Sequence, residues 1–180
     1  MAKREINDNK NITMEKQEFT DKITKWLKSF LSQKFVETHN VLDVIIPGSN
    51  LSKIQNSSIK LCPNYSAWEF KPDVCGILKN KKTGEIELIL ANRSTSSISL
   101  KEIGEIYAYS KLANSKLSLL FSVNGVSNEV GILLLDSEIK KRLLNYGDGK
   151  EIVILSWDEN KNDVNRSSII PFEKKSLFLD

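Results

Sequence analysis

Two groups of residues have the types and spacing that suit chemistry. Lys71 and Asp73 stand two apart in Phe70-Lys71-Pro72-Asp73, and the two-residue period of an extended strand turns both side chains to one side. Glu102, Glu105 and Tyr109 are three and four residues apart, the spacing that gathers side chains on one side of a helix. Carboxylates are hard oxygen ligands suited to Mg2+, and a nearby cation stabilises charge on a reacting phosphate. Each residue also has a plain structural use. Asp after Pro is a ready acceptor in a strand-end turn, and Glu102 follows Ser99 at capping-box spacing. Glu105 suits a solvated helix face, and Lys71 is one of 26 basic residues.

Other chemistries find less support. His39 is the only histidine, which excludes a multi-histidine metal site and leaves little case for Ser-His or Cys-His catalysis. Cys62 and Cys75 are too far apart for a CxxC pair and read as reduced thiols. No glycine-rich phosphate loop occurs, so nucleotide-dependent chemistry is not indicated. Trp26 and Phe30, at helical spacing, read as core rather than as a platform for stacking bases.

The chain that must position these residues has 180 residues, 40% hydrophobic and 27% charged, which suits one domain with a real core. Its net charge of +3 is small, so attraction to nucleic acid has to come from a local basic patch. The longest strongly apolar run, Ile132 to Leu135, is far too short for a bilayer, and Met1 to Lys16 lacks an apolar signal region. The expectation is a cytoplasmic protein without a membrane partner.

Residues 1–15 are too polar to repay ordering and read as a mobile tail. A single α/β domain is expected over 16–160, with 161–180 a loosely packed extension. Phe19, Ile23, Trp26, Leu27, Phe30, Leu31 and Phe35 predict a first helix. Val41–Ile46, Tyr65–Leu78 and Glu85–Leu90 predict three strands, the last two joined as a hairpin through the turn-forming stretch Lys79 to Gly84. Ser99 opens a helix that carries Leu100, Ile103, Ile106 and Tyr107. Leu117–Val123 is a strand buried on both faces, and Ser137–Leu144 and Glu151–Trp157 add a helix and a strand. The order implies a central mixed sheet flanked by helices.

Phe70-Lys71-Pro72-Asp73, the hairpin, and Leu88-Ile89-Leu90-Ala91-Asn92-Arg93 together resemble the PD-(D/E)XK superfamily of nucleases and resolvases. The resemblance covers roughly residues 17 to 157 and extends to the next helix, where Glu105-x-x-x-Tyr109 looks like that superfamily's Gln-x-x-x-Tyr motif. It implies an αβββαβ core of restriction-endonuclease-like type, here with an added C-terminal helix and strand. It also implies an Asp at the Pro-Asp site, an acidic residue and a lysine two apart on the next strand, and Mg2+ or Mn2+ as cofactor.

Asp73 fits the first requirement, while Ala91 and Arg93 fall where the acidic residue and lysine belong. A methyl group binds no metal, and Arg is a poor proton acceptor. A register slipped by one gives Asn92 and Ser94, again without a carboxylate or lysine. Glu102 or Glu105 could act as a carboxylate moved to the helix, Lys71 could replace the lost cation, and Glu37 could complete a metal site from the first helix.

The expected function is therefore that of a nuclease-fold protein on nucleic acid, DNA first, with a degenerate catalytic site. Arg93, Lys101, Lys111 and Tyr109 would contact the nucleic acid. The alternatives are an active metal-dependent endonuclease using Asp73 with Glu105 or Glu102, and a non-catalytic interaction or assembly module, with a homodimer compatible with either.

Overall fold

In the computed structural model, which describes residues 15–179, the chain is a mixed β-sheet between two helical layers. Helix α1, Lys16–Lys34, buries Phe19, Ile23, Leu27, Phe30 and Leu31, one stripe at three- and four-residue spacing. It stops at Phe35, whose N–H still bonds the Leu31 carbonyl. Strand β1, His39–Ile45, then runs antiparallel to β2, Val74–Asn80, which runs antiparallel to β3, Ile86–Ser94. The β2–β3 turn is held by Asn80, whose side-chain oxygen accepts the N–H groups of Lys82 and Thr83. Gly84 supplies the left-handed φ of 77° that closes the turn.

Helix α2, Leu100–Ala113, carries the chain over the sheet so that β4, Leu117–Ser122, lies parallel to β3. Helices α3, Asn128–Leu135, and α4, Ser137–Leu144, follow. The short β5, Asn145–Gly147, turns into β6, Lys150–Asp158, which is parallel to β4. Strand β7, Asp163–Val164, pairs back on the end of β6, and the sheet order is β1-β2-β3-β4-β6-β5.

Alternation along the strands divides the core. Val74, Ile89, Ala91, Leu119, Phe121 and Val153 pack with α1. On the other face, Leu120, Ile152 and Ile154 pack with α2, α3 and α4, while Cys75, Ile77, Leu88 and Leu90 pack with Trp68 and Phe70. Helix α1 comes so close to β2 that a methyl group on Gly76 would lie 2.6 Å from a Leu31 methyl carbon. A second, polar tie joins α2 to β4 and β5. The hydroxyls of Ser110 and Ser115 both bond Ser118, and Tyr146 Oη donates to the Ser115 carbonyl. All four side chains are buried, and each has a partner.

Several expectations require correction. Tyr65–Leu78 is not one extended run. Residues 51–67 contain three short 3-10 turns, and the strand begins only at Val74. Asn64 takes a left-handed φ of 59°, and the N–H groups of Leu51 and Ser52 bond the carbonyls of Phe70 and Trp68, folding the segment on itself. Helix α3 is an addition to the expected order, and β5 occupies residues where the last helix would otherwise taper off. Residues 161–179 are not a loose extension. Ile169 and Phe178 are buried in the α1 core, and Ile170 exchanges backbone hydrogen bonds with Ile154. The expected tail, except Glu15, lies outside the described residues. No described helix is long and apolar enough to cross a membrane.

Candidate functional site

The β2–β3 register decides which side chains meet at Asp73. Val74 lies opposite Ala91 and Cys75 opposite Leu90, so Asp73, one residue before the strand, stands across from Asn92. Alternation then puts Asn92 and Ser94 on the Asp73 side of the sheet. Ala91 is 1% exposed and packs within the α1 core. The pair two apart beside Asp73 is thus Asn92 and Ser94, which corrects the assignment to Ala91 and Arg93.

Arg93 reaches Asp73 differently. Its backbone N–H donates to Asp73 Oδ2 at 2.9 Å, and its guanidinium Nη2 lies 3.7 Å from Oδ1. Its Nε donates to Thr20 Oγ1 at 2.6 Å, tying the strand end to the second turn of α1. Asp73 returns the brace by donating its own N–H to Asn92 Oδ1 at 3.2 Å. Asp73 thus serves as an acceptor across two strands, for a backbone N–H 20 residues away, and not within a local turn, with an arginine as its counter-charge.

Around these residues opens a cavity of about 300 Å³, lined also by Lys16, Lys71, Ser94, Thr95, Ser96, Lys101, Glu102 and Glu105. Lys16, Lys71 and Lys101 are exposed. Glu102 accepts from the Ser99 N–H at 2.9 Å and from its hydroxyl at 2.5 Å, completing a capping box. Partial burial disfavours its charge, but the Ser99 hydrogen bonds and the Lys101 charge outweigh that and hold its carboxyl below the usual range. Glu105 accepts from Tyr109 Oη at 2.7 Å. The Tyr109 hydroxyl is pushed up to about 12 by desolvation, then by Glu105 and Asp73, so it stays a proton donor at neutral pH. The Tyr109 ring stacks on Phe70 at 4.9 Å.

Two expected contributors are elsewhere. Lys111 donates to the Tyr146 carbonyl at 2.9 Å and does not line this cavity. Glu37 follows the far end of α1, about 28 Å along the helix from Lys16. Thr20, Lys16, Asn92 and Ser94 join the site, although their residue types and local spacing do not mark them for it. Asn92 and Ser94 become legible only with the register known, and Thr20 only with α1 docked.

The donor set does not fit a divalent cation. Among the described residues, no three His, Cys, Asp or Glu side chains converge on a metal-sized site. Mg2+ is held through carboxylates it need not share with another cation. Here Asp73 faces a guanidinium, Glu102 is committed to Ser99 and Glu105 to Tyr109.

The single histidine sits at the other end of β3. Buried His39 lies between Thr38 Oγ1, 2.7 Å from Nδ1, and Glu87 Oε2, 2.9 Å from Nε2, and Lys116 approaches the same oxygen at 3.3 Å. Burial pushes the Glu87 carboxyl up, but the His39 and Lys116 interactions prevail and lower it. A carboxyl lowered on folding contributes stability above its unfolded pKa and loses it as pH falls through the folded value. Glu87→Gln is therefore expected to lower the urea midpoint at pH 7, with the difference from the natural protein shrinking only as pH falls below the unfolded carboxyl value of about 4.3 and through the lower folded one. A midpoint difference that does not shrink as pH falls below that value would contradict this.

The thiols of Cys62 and Cys75 are both free and buried, and burial pushes Cys62 up to about 11. Neither is suited to nucleophilic work. The chain matches no family model, no curated protein and no solved structure.

Proposed function

We propose that this is a nuclease-fold protein that binds nucleic acid, DNA first, at the Asp73 cavity and does not cleave it with a metal. The observation that carries the reading is the pairing of Asp73 with Arg93 where Asn92 and Ser94 supply neither carboxylate nor lysine. The order α1, β1, β2, β3, α2, β4 supports the αβββαβ comparison, as does Pro72-Asp73 at the head of β2. The Glu105–Tyr109 face of α2 beside the cavity supports it too. With metal ligation disfavoured, phosphate contact is left to the cations on the rim. Exposed Lys71, just before β2, and exposed Lys101, in the first turn of α2, line the same cavity as Arg93, which is braced by Asp73 and Thr20. Such contacts position a backbone without reading its sequence, and they weaken as salt rises.

The test is double-stranded DNA binding by the natural protein and by Lys71→Glu with Lys101→Glu, across a salt series. The paired reversal is expected to weaken binding at least tenfold and to flatten the salt dependence by about 1.8 logarithmic units, about 0.9 for each phosphate no longer neutralised. Unchanged affinity would sink the reading. Cleavage with Mg2+ or Mn2+ that disappears in Asp73→Asn would instead establish a working endonuclease that draws on Glu105 or Glu102.

A further inference from the structure

A second cavity, of about 450 Å³, opens on the other face of the sheet between α1, the β6–β7 hairpin and Phe178. Along α1, Lys22, Lys25, Trp26, Ser29 and Gln33 recur every three or four residues and form its floor over about 16 Å. The hairpin supplies the opposite wall through Lys161, Asn162 and Asp163, with Arg166 just beyond. With Lys34, five cations and one carboxylate line the cavity, and two of the cations also meet a carboxylate just outside it, Lys22 with Glu18 at 2.7 Å and Lys161 with Asp158 at 3.7 Å. The lining carboxylate is turned inward. Asp163 Oδ1 accepts the Trp26 indole N–H at 2.8 Å and the Val164 N–H at 2.7 Å.

Trp26 is the distinctive member. Its ring lies nearly parallel to Phe30 at 4.9 Å, Phe30 lies nearly parallel to Phe178 at 5.1 Å, and its edge meets Phe121. Packing and the Asp163 hydrogen bond thus fix the plane of the indole, yet the side chain is only half-buried and borders the cavity. A rigid, partly open indole surrounded by lysines has the makings of base recognition. The π-face stacks on any base, and the ammonium groups neutralise phosphate. The volume falls within the usual range for small-ligand sites.

We propose that this cavity binds a nucleoside phosphate, either free or as one unit of single-stranded nucleic acid, with the base against Trp26 and the phosphate between Lys25 and Lys161. It is a site separate from the Asp73 cavity and does not depend on the function proposed there. It uses no glycine-rich loop, so its only trace in the sequence is the helical spacing of Trp26 and Phe30, which reads first as core.

The experiment titrates the protein with ADP, a short oligothymidylate and inorganic pyrophosphate, following calorimetric heat and tryptophan fluorescence. Trp68 and Trp157 are each 4% exposed, so a fluorescence change reports mainly on Trp26. ADP or the oligonucleotide is expected to bind and quench, with pyrophosphate about tenfold weaker and silent because it has no base to stack. Lys25→Glu with Lys161→Glu, two exposed positions, is expected to weaken that binding at least tenfold with an unchanged melting curve. Lys71→Glu with Lys101→Glu should leave ADP binding intact, which separates this site from the Asp73 cavity. Tighter ADP binding would identify a free nucleotide, and tighter oligonucleotide binding a strand; both uphold the proposal. Pyrophosphate binding as tight as ADP without quenching, no binding of ADP or oligonucleotide, or ADP binding unaffected by the Lys25 and Lys161 reversals, would each overturn it.

Discussion

Ala91→Glu is expected to leave little folded protein, whereas Asn92→Glu, one residue further along the same strand, is expected to fold. Ala91 is 1% exposed and belongs to the core beneath α1 with Phe19, Ile23 and Leu119. A glutamate there would have to enter a close-packed layer and either bury an unpaired charge or take up a proton to stay neutral. Overpacking alone costs about 1–3 kcal/mol, and an uncompensated buried carboxylate adds several more. A domain of this kind is stable by only about 5–15 kcal/mol in total. Asn92 already carries a polar head that accepts the Asp73 N–H, and it lines the Asp73 cavity together with Lys71 and Lys101. Urea denaturation of the two variants measures the difference directly. Equal stability would mean that the β2–β3 register, and with it the composition of the site, is wrong.

The second large effect is a gain of binding. Asn92→Glu with Ser94→Lys, combined with Arg93→Ala to withdraw the competing cation, is expected to create a single saturable Mn2+ site that the natural protein is expected to lack. The substitutions would supply a second carboxylate and a lysine on the side of the sheet that Asp73 already faces. The Arg93 N–H that bonds Asp73 belongs to the backbone and survives the change. Asp73→Asn added to this variant should abolish the new binding, since it removes a charged ligand at nearly constant volume. Calorimetric titration with Mn2+ provides the reading. A natural protein that already binds Mn2+ through Asp73 would contradict the account of a missing metal site.

Much of the architecture is legible in the sequence because it rests on period. The stripe of α1, the all-buried run of β4 and the Ser99–Glu102 cap each match a local rule, and each forms as that rule requires. Helix α3 is hidden because Ile132, Leu133, Leu134 and Leu135 are contiguous and blur any period. Two of them, Ile132 and Leu135, are in fact exposed. The segment before β2 passes for a strand because Trp68 and Phe70 have strand-like side chains, yet they are buried by folding back on Leu51 and Ile59. Asp73, Glu102 and Glu105 stand out in advance, since their residue types and local spacing carry the information. Their chemical state does not. Which of Ala91 or Asn92 faces Asp73 depends on how two strands slide past each other, and the Arg93 brace depends on a threonine 73 residues away.

The burial of Val164, Ile169 and Phe178 has a consequence for biosynthesis. Helix α1 is made before every strand of the sheet, yet part of its apolar cover, Val164, Ile169 and Phe178, emerges after every strand from β1 to β6. At about 5–20 residues per second, the ribosome needs about 7–30 s to reach Phe178 from α1. Throughout that interval Phe30 and Trp26 lack the aromatic partner that finally stacks beside them. The nascent chain can assemble its central strands early, but its α1 layer stays open to chaperones, proteases and other nascent chains until the last of this segment clears the exit tunnel.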